Sequence, residues 1–328
     1  MGGAGRWRVA VAITLVAAAV LTGWATAGPG RAAATAVAGP RSAVGAATRP
    51  RRARAARPSH VIVVVEENHA FEQLVGSRAA PFLNHLAAHG TLLTDDHAVT
   101  HPSLPNYVAL LSGRTPIHSD CRACTFAGPT LIDQLVARHL SWAAYLQGLP
   151  RPCSAVARSG AYTEAVDPFI HAARVRDEPA RCQRVLPFGL LHADLAAGRL
   201  PTVAFVVPDL DHDMHSGPVR VADRWLRRLV AKLESDPVWH QDTRLVITFD
   251  ESTGRDVRSC CGGVGRGGLV PAIVAGPRIP EGRDPTPYTH YSLLRSVEAA
   301  FALPFLGHAA DPTTATIPAV ADPSPDRE

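Results

Sequence analysis

The stretch VIVVVEENH, Val61 to His69, decides how this chain folds. Val61-Ile62-Val63-Val64-Val65 is an unbroken β-branched run with no polar residue between its members. A strand of that kind has both faces covered, as in a parallel sheet flanked by helices. The run stops abruptly at Glu66-Glu67-Asn68-His69, which places acids and an amide at its C-terminal end. In open α/β sheets, ligands bind outside the C-terminal ends of the strands.

The same pattern recurs outward from that stretch. Trp142–Leu146, Thr202–Val207, Leu245–Phe249 and Leu269–Ala275 read as further strands. Pro81–His89, Pro129–Leu140, Leu186–Ala197, Val219–Leu233 and Tyr291–Phe301 read as helices, with 150–185 as an irregular insertion. Strands alternating with helices predict an α/β fold with a mostly parallel central sheet and helices on both faces. Polar clusters again follow strand ends. PDLDHDMHSG (Pro208 to Gly217) follows one, Asp250-Glu251 another, and His290 precedes the last helix.

THPSLPNYVALLSG, Thr100 to Gly113, has a different character. Pro102 and Pro105 bracket Ser103, and a helical apolar pattern begins at Asn106. Proline suits the first turn of a helix, so Ser103 stands at or just before a helix N-terminus. Free N–H groups there attract anions, phosphate above all. Taken singly, Ser103 is equally an N-cap.

Glu67, Asn68, Ser103, Asn106, Asp211, Asp213, His215, Asp250, Glu251 and His290 together offer oxygen and imidazole donors. Such donors suit a divalent cation such as Zn, Mg, Mn or Ca. No Gly-x-Gly-x-x-Gly follows the first strand, and Gly262–Gly268 precedes a strand and lacks the Lys-Ser/Thr of a P-loop. No Gly-x-Ser-x-Gly elbow is present, which disfavours a Ser-His-Asp hydrolase.

The ends and the charge narrow the class. Arg6 and Arg8 precede an apolar run to Leu21, and Ala25-Thr26-Ala27 supplies a small-x-small site, so 1–27 reads as a cleaved signal peptide and the protein as secreted. An uncleaved anchor is the other reading. Residues 28–57, rich in Ala, Gly, Pro and Arg, read as a disordered linker, 58–310 as the folded domain, and 311–328 as a disordered tail. The formal net charge is +4, but 1–57 carry nine Arg and no acid, leaving 24 basic against 29 acidic residues in 58–328. A mildly acidic domain argues against a nucleic-acid partner. Six cysteines, Cys121, Cys124, Cys153, Cys182, Cys260 and Cys261, suit disulfides in a secreted chain, with fifteen pairings open.

EENHAFE, THPSLPNY, DHDMHSG, DRWL, FDE and YTHY, in this order, resemble the phosphoesterase family of the alkaline-phosphatase superfamily. That family includes secreted acid phosphatases, one acting on phosphatidylinositol 3-phosphate, and bacterial phospholipases C. The resemblance covers roughly 59–305. It implies Ser103 as nucleophile, with Ser103-Leu104-Pro105-Asn106 matching the superfamily's Thr-Phe-Pro-Asn. It implies Glu67, Asn68, Asp250 and Glu251 around one metal, and Asp213 (or Asp211), His215 and His290 as a second site. Asn106 would hold a phosphate oxygen, and His101 shares the motif without an assigned role. A bridge from Cys153 to Cys121 or Cys124 is implied too. The expected activity is a metal-dependent phosphomonoesterase. The alternatives are a phosphodiesterase or phospholipase C on the same site, and a metal-independent phosphatase using His215.

Overall fold

The computed structural model describes residues 57–322; the expected signal peptide, the expected linker up to residue 56 and the last residues of the expected tail, 323–328, lie outside the described residues. The main sheet is built from β1 (His60–Glu66), β2 (Thr91–His97), β3 (Trp142–Leu146), β4 (Val185–Pro187), β5 (Val203–Val207), β6 (Thr243–Phe249), β7 (Leu269–Ala275), β8 (Gly282–Asp284) and β9 (Tyr288–Thr289). Its order is β8-β2-β7-β6-β1-β5-β3-β4, with β9 also on β2. The β-branched run of β1 occupies the middle, paired parallel to β5 and to β6. Strand β7 alone runs against the rest, antiparallel to both β2 and β6. The C-terminal ends of all the other strands therefore lie along one edge.

Helices cover both faces. Val61, Val63 and Val65 face a core shared with α2 (Ser103–Ser112), α3 (Leu131–Ala137) and α6 (His290–Ala300). Ile62 and Val64 face the opposite core, with α1 (Pro81–His89), α4 (Gly189–Ala196) and α5 (Val219–Glu234). The period-two alternation of side chains along β1 feeds both cores at once. Helix α2 is buried at all ten residues and stops at Gly113, whose φ of 65° and close approach to the Leu306 carbonyl both exclude a Cβ.

Four expectations change. Strand β2, which feeds the THPS loop, is an element the sequence pattern does not mark: Asp95 and Asp96 break its apolar run, and the register shifts between Leu93 and Asp96. The helix expected from Leu186 begins at Gly189, because Val185–Pro187 pair with β3 as an edge strand. The stretch 311–322, expected in a tail, is packed. Ile317 and Val320 are buried, and the buried Arg244 guanidinium donates to the Val320 carbonyl at 2.6 Å. Cys153 bridges Cys182, not Cys121 or Cys124, because the Cys153 amide bonds the Val185 carbonyl and brings the Cα atoms to 4.9 Å. Cys121 pairs with Cys124, and Cys260 with Cys261.

Candidate active site

The strand-end edge gathers the residues singled out above. Ser103 opens α2 after the β2 turn, and its Oγ lies 3.3 Å from Glu251 Oε1 and 3.5 Å from Asn68 Oδ1. Asn68 takes a φ of 48°, a left-handed position that Asn tolerates better than most residues, and its amide donates to Asp250 Oδ1 at 3.1 Å. Glu67, Ser103, Asp250 and Glu251 are all buried. Glu67 accepts the Tyr107 hydroxyl at 3.1 Å, and His215 Nδ1 stands 3.5 Å from its other oxygen. Asp213 Oδ1 holds the His215 amide at 2.9 Å, while its Oδ2 is buried without a partner.

This is a crowded set of acids. Burial, then Asp213, pushes Glu67 well above the usual carboxylate range, against the pull of the Tyr107 hydroxyl. Burial, then Glu67 and Glu251, does the same to Asp250, whose Oδ2 has no partner. Several buried carboxylates with orphaned oxygens lack a counter-charge, and a cation is the partner that would supply it. Among the described residues no three His, Cys, Asp or Glu side chains already converge in ligating geometry. The donors here are mixed: carboxylates of Glu67, Asp250 and Glu251, the Asn68 amide and the Ser103 hydroxyl. In chemistry that set fits a hard divalent cation.

Not every sequence candidate joins this set. Asn106 does not face an open site: its Oδ1 accepts the Val99 and Thr100 amides, and its Nδ2 donates to the Thr100 and Pro102 carbonyls. All its bonding capacity is spent pinning the loop before Ser103, so it has none for phosphate. Asp211 is exposed. His290 is buried, with Nε2 2.6 Å from the Asp250 carbonyl and Nδ1 without a partner; among the described residues no hydrogen bond or ion pair links it to Asp213 or His215. Burial lowers its imidazole to about 4. The Leu104 amide is not free at the helix start, because Asp120 Oδ1 accepts it at 2.9 Å.

Three further residues support this set, and the sequence motifs assign none of them a role. His101 places Nδ1 2.6 Å from Glu251 Oε2 and Nε2 3.1 Å from the Asp256 carbonyl, so it orients Glu251. The Glu251 bond raises its imidazole above the usual value, against burial. Tyr107 stands four residues after Ser103 on the same helix face, a spacing visible in the sequence. Asp256 ties the loop after Glu251 together through the Ser252 hydroxyl, the Leu269 amide and Arg258, which also pairs with Glu72.

Known proteins share both sequence and fold with this chain. It is 31% identical to a phosphatidylinositol-3-phosphatase of Mycobacterium tuberculosis, over 81% of this chain and 85% of that protein. It is 30% identical to an acid phosphatase of Aspergillus fumigatus over 68% of this chain, but spans only 51% of that longer protein. Among solved structures, an alkaline-phosphatase-superfamily protein from Vibrio parahaemolyticus superposes with a TM-score of 0.52 at 15% identity, covering 78% of this chain and 71% of that one. A phosphonate monoester hydrolase of Agrobacterium radiobacter superposes at 0.51 and 14%, covering 83% and 78%. At such identities these two carry the fold alone, an alkaline-phosphatase-like α/β sheet. The Phosphoesterase family profile matches residues 77–304. With a sheet edge that collects the acids, the serine and the histidines of its ordered motifs, the chain belongs to the Phosphoesterase family.

Proposed function

We propose that this chain is a phosphoric monoester hydrolase that works through Ser103 and a divalent cation held by Glu67, Asn68, Asp250 and Glu251. The observation that carries the reading is the Ser103 hydroxyl, set among buried, under-partnered carboxylates at a helix start. A bound cation would polarise the phosphoryl group and favour the serine alkoxide. Ser103 attacks phosphorus in line, and the leaving oxygen departs from the opposite side. The half-exposed His215, on the rim beside Glu67, is placed to move a proton for the leaving group and then for the water that releases phosphate. His101 and Tyr107 hold Glu251 and Glu67 in place. The names of the related acid phosphatases support a monoester substrate, and the mycobacterial relative's name extends the substrate reading to a phosphoinositide headgroup. Secretion fits the same reading; no helix among the described residues is long and apolar enough to cross a membrane.

The test is phosphate release from an aryl phosphomonoester and the matching diester, before and after chelation, beside Ser103→Ala. Monoester hydrolysis should fall by at least about 10³-fold in the variant, on the scale of other covalent catalysts, and should return when a divalent cation is added back after chelation. Diester preference would move the chain to the phospholipase C side. Activity that survives chelation would reassign His215 as the reactive group.

A further inference from the structure

One strongly charged surface has no part in this chemistry: the outer face of α5. At 100° per residue, Arg220, Arg224, Arg227, Arg228 and Lys232 fall within about 140° of the helix circumference and run about 18 Å along it. The opposite face buries Ala222, Trp225, Leu226, Leu229, Val230 and Leu233 in the core. Arg220 donates to the Arg78 carbonyl at 3.1 Å; the other four cations have no ion pair or hydrogen bond among the described residues. The acids of α5 do not neutralise them. Asp223 is buried with its carboxylate on the Phe82 and Leu83 amides, and Glu234 closes the last turn. This concentration stands out in a domain whose overall balance is acidic.

We propose that the outer face of α5 docks the protein on an anionic lipid surface. A convex stripe on one helix fits a charged plane, and clustered Lys and Arg are attracted to anionic lipid with roughly additive strength. Leu190 is 40% exposed on α4, and Phe188, just before that helix, meets Trp225 of α5 in a tilted ring contact at 5.4 Å, so an exposed apolar side chain stands on a helix joined to α5. A single-stranded nucleic acid would want aromatic rings to stack on, but the tryptophan of α5, Trp225, is turned into the core. The N-terminal segment is no candidate occupant, since its nine Arg without an acid would be repelled by the stripe. Arg220 follows His215 by five residues in the chain.

The experiment is co-sedimentation of the full chain with phosphatidylcholine vesicles, with and without about 30 mol% phosphatidylglycerol, at about 0.1 M salt, where surface charge is only partly screened. Wild-type protein should bind only the anionic vesicles. The triple variant Arg224→Glu, Arg227→Glu, Arg228→Glu should bind them at least about tenfold more weakly. Its turnover of a soluble aryl phosphate and its melting temperature should not change. If the glutamates lower the melting temperature, the corresponding Arg→Gln triple takes their place, with a smaller loss expected. Equal vesicle binding by wild type and variant would overturn the proposal. So would tighter wild-type binding to an RNA homopolymer than to the anionic vesicles at the same salt.

Discussion

Asp223 and Asp250 are both shut away from water, one on a helix and one at a strand end, yet their surroundings are opposite. Asp223 lies at the N-terminus of α1, where its oxygens accept the Phe82 amide at 3.1 Å and the Leu83 amide at 2.9 Å. The helix start supplies donors and a favourable dipole, so the charge is matched. Asp250 receives one amide, leaves Oδ2 unpartnered, and faces Glu67 and Glu251. Burial is common to the two; the unmatched charge separates them, and under the proposed function it is what marks Asp250 as the acid that serves the site.

The sharpest way to break that comparison is to neutralise Asp250. Asp250→Asn should lower kcat/KM for an aryl phosphate by about 10³-fold, as expected when a group on the reacting centre is lost. In chelator-treated protein it should not lower the melting temperature, because it removes repulsion rather than a satisfied bond. A cooperative melt at a clearly lower temperature would show that Asp250 is structural after all. His101 tests the same edge one step out. His101→Ala should lower kcat by about 10–100-fold through a loosened Glu251, the scale seen when a partner of a metal ligand is removed. His101→Gln, which can still donate to Glu251, should recover part of it. Loss of stability with kcat intact would assign His101 to the Asp256 loop alone.

Asp223→Ala should do the reverse of Asp250→Asn. Two amides at the α1 start lose their acceptor, for about 1–3 kcal/mol of stability and a melting temperature several degrees lower. Turnover should be unchanged, and a large fall in kcat would erase the distinction between the two acids.

How far the sequence speaks depends on the same balance of charge and burial. Val61–Val65 is legible because five β-branched residues in a row leave a buried parallel strand as the natural structure, and the gathering of polar clusters at one edge follows from parallel direction. Strand β2 was not legible, since its Asp95-Asp96 pair carries a loop-like signal and its burial is imposed by β7, β8 and β9. Ser103 could be placed at a helix start from its prolines. Asn106, three residues on, offers the same polar signature whether it faces a ligand or four backbone groups, and only the tertiary fold distinguishes them. The cysteine pairing depends on the path of 150–185, which carries no periodic pattern. The α5 stripe was visible as an amphipathic helix, but a domain-wide net charge averages it away.

A third buried acid completes the comparison. Glu298 on α6 is fully buried; its Oε1 accepts the Leu306 amide at 3.1 Å, while its Oε2 has no partner. Gln134 borders the same carboxyl and has an unpartnered Oε1 of its own. Burial raises this acid from 4.5 to about 8, against the bonds from Gln134 and Leu306 and the charge of Arg295. Where Asp223 is matched by donors and Asp250 calls for a cation, Glu298 is matched by a proton. The folded-state value is above the unfolded one, so the stability it confers is complete below about 4.5 and is lost as pH rises through about 8. Glu298→Gln keeps the neutral shape and removes the titration. Its melting temperature should be close to wild type near pH 5 and exceed it near pH 9 by the equivalent of several kcal/mol, at about 1.4 kcal/mol for each unit between 4.5 and about 8. Asp96, raised to about 7, and Asp167, raised to about 6, titrate in both proteins and cancel in the difference. A difference that stays flat from pH 5 to 9 would mean that Glu298 is ionised throughout, and that the Leu306 amide and Arg295 already match its charge as the α1 amides match that of Asp223.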